Sequence, residues 1–204
     1  MAMRHLPGYY DLPAQTRLLD AVLTVLDAAP LFTPAMPRTG KPFSVSMTNC
    51  GPLGWVSDRE GGYRYQKAHP ETDAPWPPIP HMLLDLWTQV TDYPAPPEAC
   101  LVNYYGPGAK MGLHRDEDEE DFSAPVVSVS LGDTARFRVG GQTRKGPTKS
   151  LELESGDVFV LEGPTRLAYH GVDRIKAGTS DLLDEAFPEG GRINLTLRRV
   201  NASP

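Results

Sequence analysis

Apolar residues recur along this chain in two different rhythms. Near the N-terminus, residues 16–28 (TRLLDAVLTVLDA) carry leucine and valine at three- and four-residue spacing, the stripe of an amphipathic helix. Residues 80–91 (PHMLLDLWTQVT) do the same, with a proline in the tolerated first turn and Met82, Leu86 and Val90 on one face. From Cys100 onward the period changes to two. CLVNYY, PVVSVSLG, ARFRVGG, SLELESGDVFVLEG, RLAYHG and RINLTLRRV are short β-type runs broken by SGD and GG. The 19 glycines and 21 prolines act as turn punctuation along the chain, which favours many short strands over a helical bundle. The fold class expected is mainly β with flanking helices (α+β), as an antiparallel double-stranded β-helix of the jelly-roll or cupin-like kind.

Residues 43–65 hold MTNCGPLGW and GGYRY, aromatic and glycine-rich with no helical period, and residues 70–97 are rich in proline. They read either as a linker or as a rigid cover presenting Trp55, Tyr63 and Tyr65. A length of 204 residues fits one domain. We expect residues 1–98 to form N-terminal helices and a lid, and residues 99–200 the β-helix core.

Composition narrows the setting more than the function. With 40% apolar and 23% charged residues the chain is ordinary for a globular protein. Cys50 and Cys100 make no disulfide framework and no paired zinc spacing, so a reducing cytoplasm is expected. The start, MAMRHLPGYYDLP, has no apolar run behind its basic residues, and no stretch approaches the roughly 18 apolar residues of a spanning helix. Neither a secretory signal nor a membrane span is expected. A net charge of −6 and a pI near 5.3 argue mildly against nucleic acid, because counterion release rewards clustered Lys and Arg. They leave room for a basic patch on an acidic body.

Chemistry enters with LHRDED. Read as extended chain, it puts His114 and Asp116 on one face. His170, at the end of RLAYHG, is the natural third ligand. Two imidazoles and one carboxylate form the facial triad of non-haem Fe(II) oxygenases, with the other coordination positions left for a co-substrate and O2. His5, His69 and His81 are read as surface or lid residues. In RINLTLRR, Ile193, Leu195 and Leu197 alternate with Arg192, Asn194, Thr196 and Arg198, giving one apolar and one polar strand face. A solvated surface strand would show the same alternation. Asn and Thr between two arginines fit shaped hydrogen bonding better, and a guanidinium fork suits a dicarboxylate. Six residues at ~3.3 Å each separate the arginines by roughly 20 Å on a straight strand, longer than a five-carbon diacid. Asn103 and Tyr105 share a face by the same alternation, and GPG turns the chain back toward His114.

Together MTNCGPLGW, GYRY, NYYGPGAKMGLHRDEDE, APVVSVSLG, GDVFVLEGPTRLAYHG and RINLTLR resemble the AlkB family of Fe(II)- and 2-oxoglutarate-dependent dioxygenases, its bacterial members in particular. The resemblance implies Fe(II) on His114, Asp116 and His170. It implies 2-oxoglutarate on Asn103, Tyr104, Tyr105, Arg192, Asn194, Thr196 and Arg198, with the two arginines serving opposite carboxylates. It also implies an activity: oxidative dealkylation of bases such as 1-methyladenine and 3-methylcytosine in DNA, or RNA, with succinate, CO2 and formaldehyde released. Such cationic, poorly paired bases flip out at little cost and suit an aromatic sandwich. In that picture a monomer takes single-stranded or flipped-base DNA. Trp55 and His114 enclose the base, Tyr63 and Tyr65 reach the nucleotide backbone, Asp118 lies near the exocyclic amine, and Arg144 of RKGPTK is a nucleic-acid contact.

The chain departs from the family pattern at Glu117, where a lysine is expected, by one extra residue between Trp55 and Tyr63, and by the acidic insert SDLLDEAFPEGG. Two other readings stay open: a 2-oxoglutarate oxygenase of proteins or small molecules, and a metal-binding β-barrel without turnover.

Overall fold

In the computed structural model, which describes residues 3–202, two antiparallel sheets lie face to face as a jelly roll. The strands are β1 (Arg4–Leu6), β2 (Ser46–Cys50), β3 (Gly54–Asp58), β4 (Gly62–Gln66), β5 (Ala99–Tyr105), β6 (Met111–His114), β7 (Val126–Gly132), β8 (Thr134–Gly140), β9 (Thr148–Leu153), β10 (Val158–Leu161), β11 (His170–Lys176) and β12 (Arg192–Arg198). The helices are α1 (Leu12–Ala28) and α2 (His81–Val90). The larger sheet runs β1-β10-β7-β12-β5-β2, the smaller β6-β11-β8-β9, and β3-β4 form a separate hairpin. β1 and β2, both from the first 98 residues, are the edges of the larger sheet. No helix among the described residues is long and apolar enough to cross a membrane.

Period-two patterning decides which way each strand faces. Ile193, Leu195 and Leu197 of β12, Val127, Val129 and Leu131 of β7, and Val158 and Val160 of β10 turn outward. There they pack against Leu18, Val22 and Val25 of α1 and Leu83, Leu86 and Trp87 of α2. The opposite face of the larger sheet meets Phe137, Val139 and Val172 of the smaller sheet in a second cluster with Val126, Phe159, Leu161 and Tyr105. A third cluster, including Phe32, Met47, Val56, Trp76 and Leu101, seats the hairpin on the sheet edge.

Some boundaries differ from the sequence expectation. Helix α1 begins at Leu12 rather than at residue 16, because Asp11 caps it by accepting from the Ala14 amide at 2.9 Å and Pro13 fits its first turn. On α2 the buried stripe is Leu83, Leu86, Trp87 and Val90, with Met82 at its margin. RLAYHG is not a strand. Pro164 starts a short 3-10 turn (Gly163–Thr165), and the strand opens only at His170. Trp76 is buried, with its indole N–H donating to the Gln66 carbonyl at 2.9 Å, so the proline-rich stretch is a packed cover rather than a free linker.

Candidate active site

His170, the first residue of β11, lies directly across from His114, the last residue of β6. Gly171 permits this approach. A Cβ there would stand 2.6 Å from the Met111 carbonyl oxygen and push the strands apart. The imidazole centroids are 4.5 Å apart, and Asp116, two residues beyond β6, turns its carboxylate to both: Oδ1 is 3.8 Å from His114 Nε2 and Oδ2 is 3.6 Å from His170 Nε2. The ligand atoms of all three lie within 4.8 Å of one another.

Each ring is set for metal. His114 Nδ1 faces the Gly112 carbonyl and His170 Nδ1 the Ala168 carbonyl, both at 2.9 Å. A carbonyl only accepts, so Nδ1 carries the proton and Nε2 presents its lone pair. Burial, ahead of other influences, pushes His170 down to about 4, which keeps it neutral. Burial alone would raise the Asp116 carboxyl. The Arg198 guanidinium, with Arg166 behind it, outweighs it and holds the group well below the usual carboxylate range. Asp116 Oδ2 is buried without a hydrogen-bond donor. An anionic oxygen left bare next to two imidazole lone pairs fits a divalent cation.

The polar face of β12 runs inward from this centre. Arg198 Nη2 donates to Asp116 Oδ1 at 2.8 Å and Nη1 to Glu119 Oε1 at 3.0 Å, while its Nε has no partner. Thr196 Oγ1 donates to Asn194 Oδ1 at 2.8 Å, and Asn194 faces Asn103 across the β12–β5 pair. Arg192, at the other end, faces Tyr105. It is 1% exposed, donates to Ser130 Oγ at 2.7 Å and to the Leu153 carbonyl at 3.3 Å, and its Nε is unpartnered. Among the described residues no carboxylate pairs with it. Desolvation accordingly pulls Arg192 down to about 10. Tyr105 and Asp157 offset this only in part, and a buried cation with no carboxylate in contact suits an anionic ligand. The two arginines do not converge: Arg198 is committed to the triad's carboxylate, and Arg192 waits at the far end.

Tyr104 does not belong to this face. Alternation along β5 turns it outward, where it stacks on Phe187 at 4.3 Å and donates to the Gly190 carbonyl at 2.9 Å. The acidic insert therefore packs on the side of the sheet away from the triad, tied down by Asp133, which accepts from the Thr179 and Gly191 amides at 2.8 and 3.2 Å.

Above the site stands the β3–β4 hairpin. Buried Asn49 accepts from the Trp55 amide and donates to its carbonyl, both at 3.0 Å, and the Trp55 indole N–H donates to Asp118 Oδ2 at 2.8 Å. The ring is thus fixed to the loop that carries Asp116. Tyr63, 53% exposed, stacks on Trp55 at 5.6 Å, and Phe43 flanks it at 6.3 Å. Tyr65 points elsewhere: its hydroxyl donates to Glu119 Oε1 at 2.5 Å and lies 3.3 Å from Arg198 Nη1, a position inside the protein rather than along a nucleotide backbone. Arg144 sits on the exposed β8–β9 loop, whose base is joined to Tyr169 by paired backbone bonds of 2.8 and 2.9 Å.

No sequence pattern marks Glu119 or Arg166 as part of the site. Arg166, 2% exposed, donates to the Asp116 carbonyl at 2.7 Å, the Ala124 carbonyl at 2.8 Å and Glu119 Oε2 at 3.0 Å, and so braces the loop that bears the ligand. The consecutive acidic residues 117–121 likewise do not form one patch. Glu117 pairs with Arg115 at 2.5 Å, Asp118 holds Trp55, Glu119 is buried, and Asp121 accepts from Tyr93 at 2.7 Å.

The family model of the 2OG-Fe(II) oxygenase superfamily matches residues 2–198. An alpha-ketoglutarate-dependent dioxygenase AlkB homolog of Caulobacter vibrioides is 56% identical over 197 residues, 97% of this chain and 87% of the relative. The chain belongs to the AlkB family of 2-oxoglutarate- and Fe(II)-dependent oxygenases. It is an Fe(II)/2-oxoglutarate dioxygenase, with O2 as oxidant. The solved structure of OsALKBH1 superposes with a TM-score of 0.81 at 32% identity, covering 97% of this chain and 96% of that one. A DNA N(6)-methyladenine demethylase, ALKBH1C of Arabidopsis thaliana, is 42% identical over 109 residues, 50% of this chain and 24% of the relative.

Proposed function

We propose that this AlkB-family oxygenase removes alkyl groups from the ring nitrogens of nucleobases, of the 1-methyladenine and 3-methylcytosine type, in DNA or RNA. His114, Asp116 and His170 hold Fe(II). Arg192 takes the distal carboxylate of 2-oxoglutarate, and Arg198, Asn103, Tyr105, Asn194 and Thr196 border the rest of its path. Bound together with O2, the iron and the diacid supply a two-electron oxidation that hydroxylates a C–H bond while 2-oxoglutarate loses CO2 to become succinate. On an N-methyl group the product is a hemiaminal, whose C–N bond breaks to give formaldehyde and the unmodified base.

The chain's own contribution is positioning and exclusion. Arg198 and Arg166 keep Asp116 ionised and oriented. The hairpin fixes Trp55 to the loop that bears Asp116, and a flipped, cationic base is held against that ring by stacking and cation–π attraction. Asp118, at the indole's edge, favours a positive ring and accepts from its exocyclic amine. Tyr63 and Arg144 take the flanking backbone. The protein acts as a monomer in the cytoplasm on single strands or on bases flipped from a duplex, since a damaged base leaves the stack at low cost.

The observation that carries this reading is the bond from Trp55 to Asp118, which fixes a large aromatic face to the metal-bearing loop. A protein or metabolite hydroxylase has no need of such a platform, and a nucleic-acid demethylase among the relatives points the same way. The test is incubation with a single-stranded oligonucleotide bearing 1-methyladenine, Fe(II) and 2-oxoglutarate. Mass spectrometry should find the loss of one CH2 per lesion. An unchanged mass alongside active succinate formation would transfer the enzyme to another substrate class.

A further inference from the structure

Catalysis uses the inner surface of the smaller sheet and leaves its outer surface without a role. There Arg136 of β8 stands directly opposite Arg174 of β11, and both are exposed. Like charges in register across antiparallel strands repel. Neighbouring cations are balanced: Arg138 pairs with Asp173 at 3.0 Å, and Lys176 pairs with Glu152. Among the described residues Arg136 and Arg174 have neither an ion-pair partner nor a side-chain hydrogen bond. With Ser150, Leu151 and Glu152 they line a shallow depression of about 230 Å³. Glu152 stands across from Arg136 on β9 but is taken by Lys176, so in a chain of net charge −6 two arginines facing each other without an ion-pair partner mark a local anion site.

The patch shares strand β11 with the catalytic centre, since His170 and Arg174 both belong to it. The β8–β9 loop, with exposed Arg144 and Lys145, is bonded at its base to Tyr169, the residue before His170. From there Arg138 leads to Arg136 and Arg174. Along β11, Arg174 lies four residues from His170, roughly 13 Å at ~3.3 Å per residue.

We propose that this outer face, centred on Arg136 and Arg174, binds the phosphodiester backbone of the polynucleotide flanking the modified base. The proposal rests on the dealkylase reading. Guanidinium forks take phosphate oxygens bidentately and carry no base information, so the patch adds affinity and register without altering lesion choice. Phosphate is the only anion that a polynucleotide presents repeatedly along a track of this kind.

The experiment measures binding of a methylated single strand, long enough to pass over both faces, at several salt concentrations. Wild type is compared with Arg136→Gln/Arg174→Gln and with Arg136→Lys/Arg174→Lys. Each lost phosphate contact on a single strand reduces the log–log salt slope by about 0.7, so the glutamine pair should flatten it by about 1.4. The lysine pair should keep the slope, and turnover of a methylated trinucleotide, too short to reach the patch, should be equal in all three. A glutamine variant with the wild-type slope, on a wild-type enzyme that demethylates the strand, overturns the patch alone. A wild type that demethylates no oligonucleotide overturns the dealkylase reading and the patch with it. Slower trinucleotide turnover in the glutamine variant also overturns it, by placing the effect in the catalytic site.

Discussion

Arg198 donates to one oxygen of Asp116 at 2.8 Å, while the other oxygen, buried, has no donor at all. One side of the carboxylate is thereby anchored to the polar face of β12 and the other is left for the metal. Replacing Arg198 with alanine strands two buried carboxylates, Asp116 and Glu119, without their main counter-charge. Loss of one partner of a buried pair costs about 3–5 kcal/mol. Urea unfolding should show that loss in the metal-free protein, and added Mn(II) should recover part of it by neutralising Asp116. A variant as stable as wild type would mean that the ion pair does not organise the site.

Arg192 gives the opposite expectation. It is buried with no carboxylate of its own, so Arg192→Met should leave the free protein as stable as wild type or more so. Its affinity for 2-oxoglutarate should fall by at least thirtyfold, about 2 kcal/mol, the lower end for truncating a buried charge pair. Calorimetric titration with 2-oxoglutarate in the presence of Mn(II) reads this directly. Equal affinity would place the distal carboxylate elsewhere.

Trp55→Ala separates substrate from co-substrate. Base stacking is worth about 1–3 kcal/mol, so turnover of a methylated strand at limiting concentration should drop by roughly 5- to 150-fold. Succinate formed without substrate should persist at the wild-type rate, because no triad residue is touched. Loss of both activities together would make Trp55 a structural residue.

Arg166→Lys tests the brace beneath the loop. A lysine keeps the charge and gives up the fork that reaches the Asp116 and Ala124 carbonyls and Glu119 at once. Metal affinity should weaken by about tenfold, within the range for residues that orient metal ligands. The affinity for 2-oxoglutarate at saturating metal should be unchanged. A fall in the latter alone would move Arg166 to the diacid pocket.

How much of this was legible in the sequence varied with the range of the interaction. The strand RINLTLRR could be read in full, because a two-residue period assigns each side chain to a face whatever the neighbours are. Arg192, Asn194, Thr196 and Arg198 all turn inward, as their alternation required. The triad was legible for the same reason in His114 and Asp116. His170 joins the cluster although its strand starts later than the pattern suggests, since Pro164 delays that strand to His170 itself. The family resemblance gives Tyr104 to the diacid against the alternation of its own strand, and the structure turns it out onto Phe187. The resemblance gives Tyr65 to the nucleotide backbone, but its hydroxyl meets Glu119, 54 residues away. Glu119 and Arg166 were illegible because their partnership spans 47 residues and neither lies on a periodic element. An acidic run with one buried member looks, in sequence, like a solvated one.

In the proposed function one site couples 2-oxoglutarate turnover to loss of a methyl group from a nucleobase. The most direct measurement follows succinate, formaldehyde and oligonucleotide mass together in a single reaction on a 1-methyladenine strand, with Asp116→Ala as the control. Succinate and formaldehyde should rise in step, the mass should fall by one CH2 per lesion, and none of the three should occur with Asp116→Ala. Succinate accumulating at the same rate with and without the strand, with no formaldehyde and no change in mass, would contradict this coupling.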